Sequence, residues 1–458
     1  MFGLFDKRAI VSDAFTQTFD RQERLRFDRI RRAWLRYEGE WEKPLAPTDL
    51  DKNGDDNTTV NLARRTVDIS AFYLFGKELG FEVDGESESE AGTWLEDCWE
   101  SQEDGKMPTL LEFATGAGIA GDGFMRLQEP DKAFGEQYPR IVSLDGQTVT
   151  VIWDPMDYKR VREVIIKAGG VDKTENEAVY ERHRIMRENG KWVILQEESR
   201  GDRAGYAEVS REIWKYDFCP VFHTKNRPLP HSYYGVSDVE DDVLQLNDSI
   251  NFVISNINRI LRAHGHPQQY LTGQEVGTFD RAVGGLAVFP NPEARLHSVE
   301  MLSDLGSSFE QYKCLQEAYH ELTSVPEIAS GKLESVGALS GVALQILYAP
   351  LVALTTVKRM LFGQMLGQVN RALLEMGGKK VKSVRVQWPD ILPKDREAEA
   401  RTGGLLTDAG VSRDTVLTEL GYDAVAEAEK RKKESEEGRA AFDAGRTDPP
   451  TEDEETEP

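Results

Sequence analysis

The chain has 458 residues, and its 80 acidic side chains outnumber the 56 basic ones, giving a formal net charge of −24. A chain this acidic does not bind nucleic acid over its whole surface, because counterion release needs Lys and Arg clustered against phosphate, so any DNA contact is expected to be local. Its three cysteines lie far apart without a CxxC pair, which indicates neither a disulfide framework nor a zinc site and favours a reducing cytoplasm.

The first predicted element is an amphipathic helix over residues 15 to 37, which is the one strongly basic segment of the chain. Its basic residues alternate with apolar ones such as Leu25, Ile30 and Trp34. They can meet phosphate, but a solvated face or an acidic neighbouring subunit is the favoured use. The basic residues are Arg21, Arg24, Arg26, Arg29, Arg31, Arg32 and Arg36.

A second helix is predicted from about Asn61 to Gly76, and an acidic stretch over residues 81 to 106 reads as a loop around a short helix. From Phe124 to Phe222 the pattern changes to short alternating apolar runs, the last of them at residues 212 to 218. Gly, Asp and Asn turns separate these runs, which predicts a series of strands.

Three glycines, Gly116, Gly118 and Gly121, spell GxGxxG just before the predicted strands. A dinucleotide site needs a strand before this motif and a helix after it. Here a helical pattern precedes the glycines and a strand pattern follows them. We therefore interpret the motif as a helix-to-strand turn.

A long helix is predicted next, within Tyr233 to Leu261. Ser237 and Glu240 have the spacing of a capping box at its start. The apolar residues then recur at spacings of four and three, which keeps one face apolar over ~40 Å. This periodicity fits an ordinary buried helix or a dimeric coiled coil as well as a helix that packs beside copies of itself. The stripe comprises Val239, Val243, Leu246, Ile250, Val253, Ile257 and Ile260.

The second half of the chain continues with helices around a small β-containing patch. The patch spans residues 267 to 301, and a helix is predicted from about Leu302 to Thr323. A longer helix runs from Ser340 to Met376, over ~55 Å, and ends at a pair of glycines. Pro350 lies inside it and is expected to kink it, because its ring displaces a backbone hydrogen bond.

The C-terminal segment is predicted to hold a strand in VKSVRVQW, residues 381 to 388, and then further helices. These helices cover residues 394 to 400 and residues 412 to about 441, and Gly421 is a candidate break in the second helix. The tail, residues 446 to 458, is acidic and is expected to be extended or disordered.

No familiar catalytic motif was found in the sequence. A GxxxxGK[ST] phosphate loop, GxSxG and HExxH do not occur, and no run of about 18 apolar residues suggests a membrane span. We therefore expect no enzyme activity, no cofactor, no metal and no membrane partner. An enzyme with a dispersed active site, and a helical scaffold or adaptor of another assembly, remain alternatives.

Taken in order, several segments resemble the portal proteins of tailed double-stranded-DNA bacteriophages. The resemblance covers about residues 15 to 435, and each motif is weak alone but moderately specific in this series. The segments are Asn61 to Asp68, Tyr73 to Lys77, Ala117 to Arg126, Ile152 to Pro155, Pro220 to Phe222, Asn226 to Pro228, Tyr234 to Asp238, Ser340 to Leu344, Gly410 to Thr415 and Glu427 to Glu429.

The resemblance implies an α+β portal fold, in which each region has an expected name. A wing would comprise residues 1–236, and residues 340–393 would add the long kinked helix and a return strand of the wing. Two stem helices, 237–264 and 302–323, would bracket a clip, 265–301. A tunnel loop (324–339), a crown (394–445) and an acidic tail (446–458) complete the expected division.

The resemblance also implies a function. Such proteins form a homo-oligomeric ring, usually of twelve subunits, at one capsid vertex of the virion, after assembly in the host cytoplasm. Double-stranded DNA passes through the ring during packaging and ejection, without sequence-specific binding. The implied partners are the major capsid protein, terminase and a head-completion or adaptor protein.

Three basic residues are candidates to guide DNA through an otherwise acidic channel. Lys332 in the expected tunnel loop is the first, and Arg259 and Arg262 near the end of the first stem helix are the second choices. Solubility or salt bridges between subunits explain these residues equally well. Pro350 carries a further hypothesis, that the kink lets the long helix bend around the ring and the preceding loop shift, although a static bend fits as well.

Overall fold

The computed structural model describes residues 21–46, 57–86, 89–172, 177–200, 205–265, 269–273, 291–298, 305–330, 341–392, 396–419 and 424–444. The chain divides into two compact units, Met1–Pro389 and Asp390–Pro458. The first unit mixes helices with antiparallel sheets, and the described part of the second is helical, so the fold is of the expected α+β class.

Four helices precede the main sheets of the first unit. They are α1 (Arg21–Glu38), α2 (Leu62–Phe75), α3 (Glu90–Glu100) and α4 (Lys106–Ala120). Local sequence sets two of their starts, because the side chains of Asn61 and Ser89 accept hydrogen bonds from backbone N–H groups in the first turns of α2 and α3. The predicted helices at residues 15 to 37 and 61 to 76 are confirmed over the described residues.

The strands form four antiparallel sheets, of which the largest is a five-stranded meander. Its order is β4-β5-β6-β7-β8, and a second sheet has the order β3-β2-β9. Two further sheets have two strands each, β1 with β12 and β10 with β11. The strands are β1 (Gly80–Val83), β2 (Asp122–Gln128), β3 (Arg140–Leu144), β4 (Val149–Asp154), β5 (Asp157–Asp172), β6 (Glu177–Glu188), β7 (Lys191–Arg200), β8 (Ala207–Ile213), β9 (Val221–Lys225), β10 (Gln269–Thr272), β11 (Arg295–Ser298) and β12 (Val384–Gln387).

The predicted strands are confirmed up to the last, at residues 212 to 218. There β8 ends at Ile213, although Trp214 N still donates to Trp192 O of β7 at 2.8 Å, and the aromatic side chains that follow pack against one another. The rings of Trp214 and Tyr216 lie 5.3 Å apart, and those of Tyr216 and Phe218 lie 5.4 Å apart. Strand β9, which follows this aromatic cluster in the chain, was not predicted from the sequence.

The helix-to-strand turn predicted at the three glycines is confirmed. Helix α4 ends at Gly121, whose φ of +86° is readily adopted only by a residue without a Cβ. Its N–H donates to Ala117 O at 2.8 Å, and β2 begins at the next residue.

Three long helices make up much of the remaining first unit. They are α5 (Asp241–Gly265), α6 (Leu305–Thr323) and α7 (Gly341–Met376). The predicted ends of α7 are confirmed, and the left-handed Gly378 closes it while Lys379 N–H donates to Leu374 O at 2.8 Å. The helix is continuous through Pro350.

The predicted start of α5 is wrong by four residues. The helix begins at Asp241, and Glu240 O accepts its first hydrogen bond, from Leu244 N. Ser237 forms no capping box, because its hydroxyl donates to Ile119 O at 2.8 Å and accepts from Val239 N at 3.0 Å. A contact with the end of α4, distant in sequence, therefore outcompetes the local cap.

The main core of the first unit lies where α2, α3, α4 and the second half of α7 meet. Phe362 packs edge-on against Phe75 and Phe113, at ring distances of 5.9 and 5.7 Å. The indole of Trp99 donates to Asn370 Oδ1 at 2.8 Å, so even the polar group of this large buried ring is paired.

The second unit contains α8 (Arg396–Asp408), α9 (Arg413–Glu419) and α10 (Ala424–Ala444). Helix α8 runs eight residues beyond its predicted end at residue 400 and stops before Gly410, whose φ is +95°. The helix predicted over residues 412 to about 441 is divided into α9 and α10, and Gly421 lies outside the described residues. The acidic tail lies outside the described residues.

Candidate functional site

The predicted apolar stripe of α5 faces the chain's own interior. Val239, Val243 and Ile250 are buried in one cluster with residues of α1, α2 and α4 and with Tyr319 of α6. Val253 and Ile257 are also buried, whereas Leu246 and Ile260 are half-buried. Most of the stripe is therefore covered within the chain itself, which leaves little of this face for another copy of the chain.

The other faces of α5 and α6 leave large apolar side chains exposed. Phe252 of α5 is 50% exposed, and Leu261 beyond it is exposed to a similar degree. Phe309 and Leu322 on α6 are exposed as well. Scattered apolar residues are normal on protein surfaces. Here, however, α5 and α6 are adjacent, and each of them exposes two large apolar side chains.

A polar seam that the sequence reading missed runs along α5. Asn247, Asn251, Ser255 and Asn258 follow one another at spacings of four, four and three, and they bind the backbone and one side chain of residues 58–63. Asn247 accepts from Ala63 N at 3.0 Å, and Asn251 accepts from Val60 N at 2.8 Å. Ser255 accepts from Thr58 N at 2.9 Å, and Asn258 donates to the Thr58 hydroxyl at 2.6 Å.

The seam fixes the position of α5 against residues 58–63, because the buried Asn247, Asn251 and Ser255 satisfy backbone N–H groups there. Its signal in the sequence is a helical row of Asn and Ser beside the apolar stripe. The row indicates a polar face of the helix, but it does not identify residues 58–63 as the segment that binds there.

A buried ion pair joins the middle of α7 to the turn before α5. Lys358 Nζ donates to Asp238 Oδ2 at 2.5 Å and to the Ser70 hydroxyl of α2 at 2.6 Å. The other carboxylate oxygen accepts from Asn226 Nδ2 at 2.9 Å, and Arg227 lies 3.8 Å away. Burial lowers the pKa of the Lys358 ammonium, and the carboxylate of Asp238 opposes that shift.

Close backbone contacts surround this ion pair. Asp238 N donates to Gly118 O at 2.8 Å, and Asn226 N donates to Gly121 O at 2.9 Å. A Cβ on Gly118 would lie 3.0 Å from Asp238 Oδ2, so a larger residue there would press on the carboxylate. The ion pair, the two glycines and Asn226 thus lock the base of α5 to α2, α4 and α7.

Helix α7 has two unlike halves on either side of Lys358. From Phe362 to Leu374 it is part of the main core. Among the described side chains before Lys358, Leu351 packs with Ile69 and Val325, while Ile346 is 68% exposed. Residues 345–376 are long and apolar enough to cross a membrane. The core helix of a soluble protein has the same length and composition, so one such helix is weak evidence of a membrane span.

Of the three residues predicted to guide DNA, the structure describes Arg259 and Arg262. Lys332 lies outside the described residues. Arg259 and Arg262 are half-buried near the end of α5, and Arg259 donates to Ala46 O at 2.9 Å, so this side chain takes part in intrachain bonding. Pro350 is exposed in the first half of α7.

The basic helix α1 uses some of its arginines within the subunit. Arg26 is buried, donates to Gly146 O at 3.2 Å and stacks over Tyr234 at 4.0 Å. Arg32 and Arg36 pair with Asp241 and Asp248 of α5, at 3.1 and 3.3 Å.

A cleft of about 990 Å³ between β4, β9 and α7 is the place where an enzyme site would be sought first. His223 and Asp122 are 2.7 Å apart there, but His223 is stacked between Phe124 and Tyr233, and Asp122 also accepts from Gly235 N. Burial raises the pKa of the lining Cys219 to about 12, so it stays a thiol and not a nucleophilic thiolate.

The His223–Asp122 pair has a structural role in this arrangement, because its hydrogen bonds join β2, β9 and the turn before α5. Among the described residues, no group of three His, Cys, Asp or Glu side chains is placed to hold a metal ion.

Comparisons with known proteins agree on the type of fold. A family model described as "Phage portal protein, SPP1 Gp6-like" matches residues 18–440. The solved structure "Neck of empty GTA particle computed with C6 symmetry" is similar with a TM-score of 0.50 and 13% identity, over 82% of this chain and 94% of that one.

A further solved structure, "Neck of native GTA particle computed with C12 symmetry", matches at a TM-score of 0.49 and 12% identity, over 79% of this chain and 89% of that one. No protein with a curated function matches the sequence.

Proposed function

The chain belongs to the phage portal protein family of the SPP1 Gp6-like type, and from that premise we propose that it forms a closed homo-oligomeric ring at one vertex of a capsid. The ring would be a conduit through which double-stranded DNA is packaged and ejected. It would also be the docking site for terminase, for the major capsid protein and for a head-completion or adaptor protein.

One observation carries this proposal: the subunit leaves apolar surface on its long helices uncovered. Ile346 and Met360 of α7 are 68% and 62% exposed, and Phe252 of α5 and Phe309 of α6 are exposed as well. Large apolar side chains left exposed on three long helices of one chain are where a neighbouring subunit would pack. A head-to-tail contact that repeats and closes by rotation buries such surface in every subunit of a ring.

The division into parts follows from the family. We assign the wing to residues 1–236 and 340–393, the stem to α5 and α6, the clip to the patch that contains β10 and β11, and the crown to α8–α10. Twelve subunits is the number that the family resemblance leads us to expect.

The acidic composition supports a conduit more than a binder. Each phosphate neutralised by Lys or Arg adds to affinity and slows sliding, so a channel for DNA should make few such contacts. Against a net charge of −24, Lys332, Arg259 and Arg262 are our candidates for the few cations that touch DNA. In packaging assays, Lys332→Glu should impair DNA packaging or retention without affecting ring assembly, and unaltered packaging would remove Lys332 from the proposal.

The experiment for the ring itself is imaging of the purified protein. Hollow rings with a countable number of subunits are the expected result. A helical scaffold or adaptor, the second candidate, would give dimers or open assemblies without a central hole.

A further inference from the structure

An exposed basic face of α1 stands out on this acidic protein. Between Arg21 and Arg32, the exposed charged side chains are five arginines and a single acid, Asp28. Leu25 lies among them and is 54% exposed. The opposite side of the helix is anchored through the buried Arg26 and Ile30, so the basic face is held outward. The arginines of this face are Arg21, Arg24, Arg29, Arg31 and Arg32, of which Arg32 is paired with Asp241 of α5 at 3.1 Å.

An acidic face of matching size lies around the end of α3. Asp97, Glu100, Glu103 and Asp104 are all exposed within eight residues, and the nearby Lys106 is buried in its own pair with Glu96, at 2.6 Å. Asp97 lies in the last turn of α3, where the helix dipole disfavours a carboxylate, whereas the carboxylate of Glu100 lies at the start of α4, where its Oε2 accepts from Lys106 N at 3.5 Å. Four exposed carboxylates are thus concentrated at this end of α4.

The two faces are held at opposite ends of α4. Glu96 pairs with Lys106, the first residue of that helix, whereas Ile30 of α1 lies beside Gly146, which packs on Ala120, the last residue. A helix of 15 residues separates its ends by ~21 Å. Neither face can therefore neutralise the other within one subunit, and both can be used at once.

We propose that the basic face of α1 in one subunit docks on the acidic face of α3 in the next. This inference rests on the proposed ring and names the pair of surfaces that would join neighbouring subunits. Complementary faces at opposite ends of a rigid body are what a head-to-tail contact requires. Arginine suits such a contact, because its planar guanidinium binds carboxylates through paired hydrogen bonds.

The test uses two charge reversals in the full-length chain. The basic reversal is Arg21→Glu, Arg29→Glu and Arg31→Glu, and the acidic reversal is Asp97→Lys, Glu103→Lys and Asp104→Lys. Either reversal alone should raise the dissociation constant between subunits by about tenfold or more, because each places like charges opposite one another. Native mass spectrometry and negative-stain imaging measure the loss of rings, after thermal unfolding has shown that each variant is folded.

Mixing the two reversed chains is the sharper experiment. In a one-to-one mixture, each acidic α1 can meet a basic α3 of the other variant, and each unreversed α1 can meet an unreversed α3. Rings of even subunit number with alternating variants should therefore return, and a chain that carries both reversals should assemble alone. Restoration in the mixture is not expected if the reversals act through misfolding.

The matched control for the basic reversal is Lys380→Glu, Lys382→Glu and Arg385→Glu, which changes the net charge by the same −6 on exposed residues elsewhere. It should leave assembly unchanged. Wild-type assembly should also weaken several-fold in about 0.5 M salt, a measurement that needs no variant.

Rings that persist in both reversals would overturn the docking of these two faces but leave the ring intact. Loss of DNA binding by the basic reversal with unchanged rings would assign the arginines to nucleic acid and equally overturn it. A wild-type protein that forms no ring under any condition would instead contradict the proposed function itself, and this inference with it.

Discussion

The two halves of α7 are both rich in apolar residues but have opposite surroundings. The half from Phe362 to Leu374 is buried among α2, α3 and α4. The half before Lys358 exposes Ile346 and Leu347, and it packs on the rest of the subunit mainly through Tyr348 and Leu351. One end of the helix is thus a core element of the subunit, and the other end carries apolar residues that a single subunit does not use.

Burial within the subunit distinguishes the residues of α7 that stabilise its fold from the exposed residues that are available for assembly. Lys358 marks the boundary between the two classes, because it ties α7 to Asp238 and Ser70 at the point where the core begins. Substitutions on the two sides should accordingly act on different measurements.

The largest expected effect is at the boundary itself. Lys358→Met would leave the carboxylate of Asp238 buried without its ammonium partner and should lower the free energy of unfolding by about 3–5 kcal/mol. Chemical denaturation measures this loss. The double variant Lys358→Met with Asp238→Asn should regain much of it, and a single variant that loses less than about 1 kcal/mol would mean that the pair does not hold the two helices together.

The next largest effect separates the halves directly with the same chemical change. Leu366→Ala in the buried half should cost about 2–5 kcal/mol of unfolding free energy, because it leaves a cavity in the core. Leu347→Ala in the exposed half should cost less than about 1 kcal/mol. Equal losses in the dissociated subunit would erase the distinction between the halves.

A polar substitution in the exposed half should act on assembly instead. Ile346→Ser should leave the unfolding free energy of the dissociated subunit within about 0.5 kcal/mol of wild type. If a neighbouring subunit covers this residue, association should weaken by about 1.5–3 kcal/mol per contact. Mass photometry at decreasing protein concentration measures the shift, and an unchanged ring population would show that this side chain stays exposed in the assembly.

The smallest effect is expected at Pro350. Pro350→Ala restores a backbone N–H in the exposed half, so local hydrogen exchange around residues 346–354 should slow. Global stability should change by less than about 1 kcal/mol, because the core half limits unfolding. Unaltered exchange and unaltered packaging would leave Pro350 as a static feature of the helix.

The sequence predicted the long helices well, because their apolar periodicity and end residues are local signals. The bounds of α7, the turn at Gly121 and the strand series were all accessible in this way. The start of α5 was not, because Ser237 bonds to a carbonyl of α4 more than a hundred residues away. The Lys358–Asp238 pair was missed for the same reason.

The interpretation of the α5 stripe shows a different limit. Periodicity reveals that Val243 and Ile250 share an apolar face, but it does not reveal whether the covering surface belongs to the same subunit or to a neighbour. In the fold that surface is supplied largely by the chain's own helices. The residues available to neighbours are instead exposed ones outside the stripe, such as Phe252 and Phe309, which periodicity alone treats as exceptions.

Electron microscopy of the purified full-length protein is the decisive measurement of whether the subunits form a ring. Closed rings with an axial hole wide enough for duplex DNA are expected, with the first half of α7 covered by neighbouring subunits. A stable monomer at high protein concentration, with that half of α7 still exposed, would contradict the proposed ring.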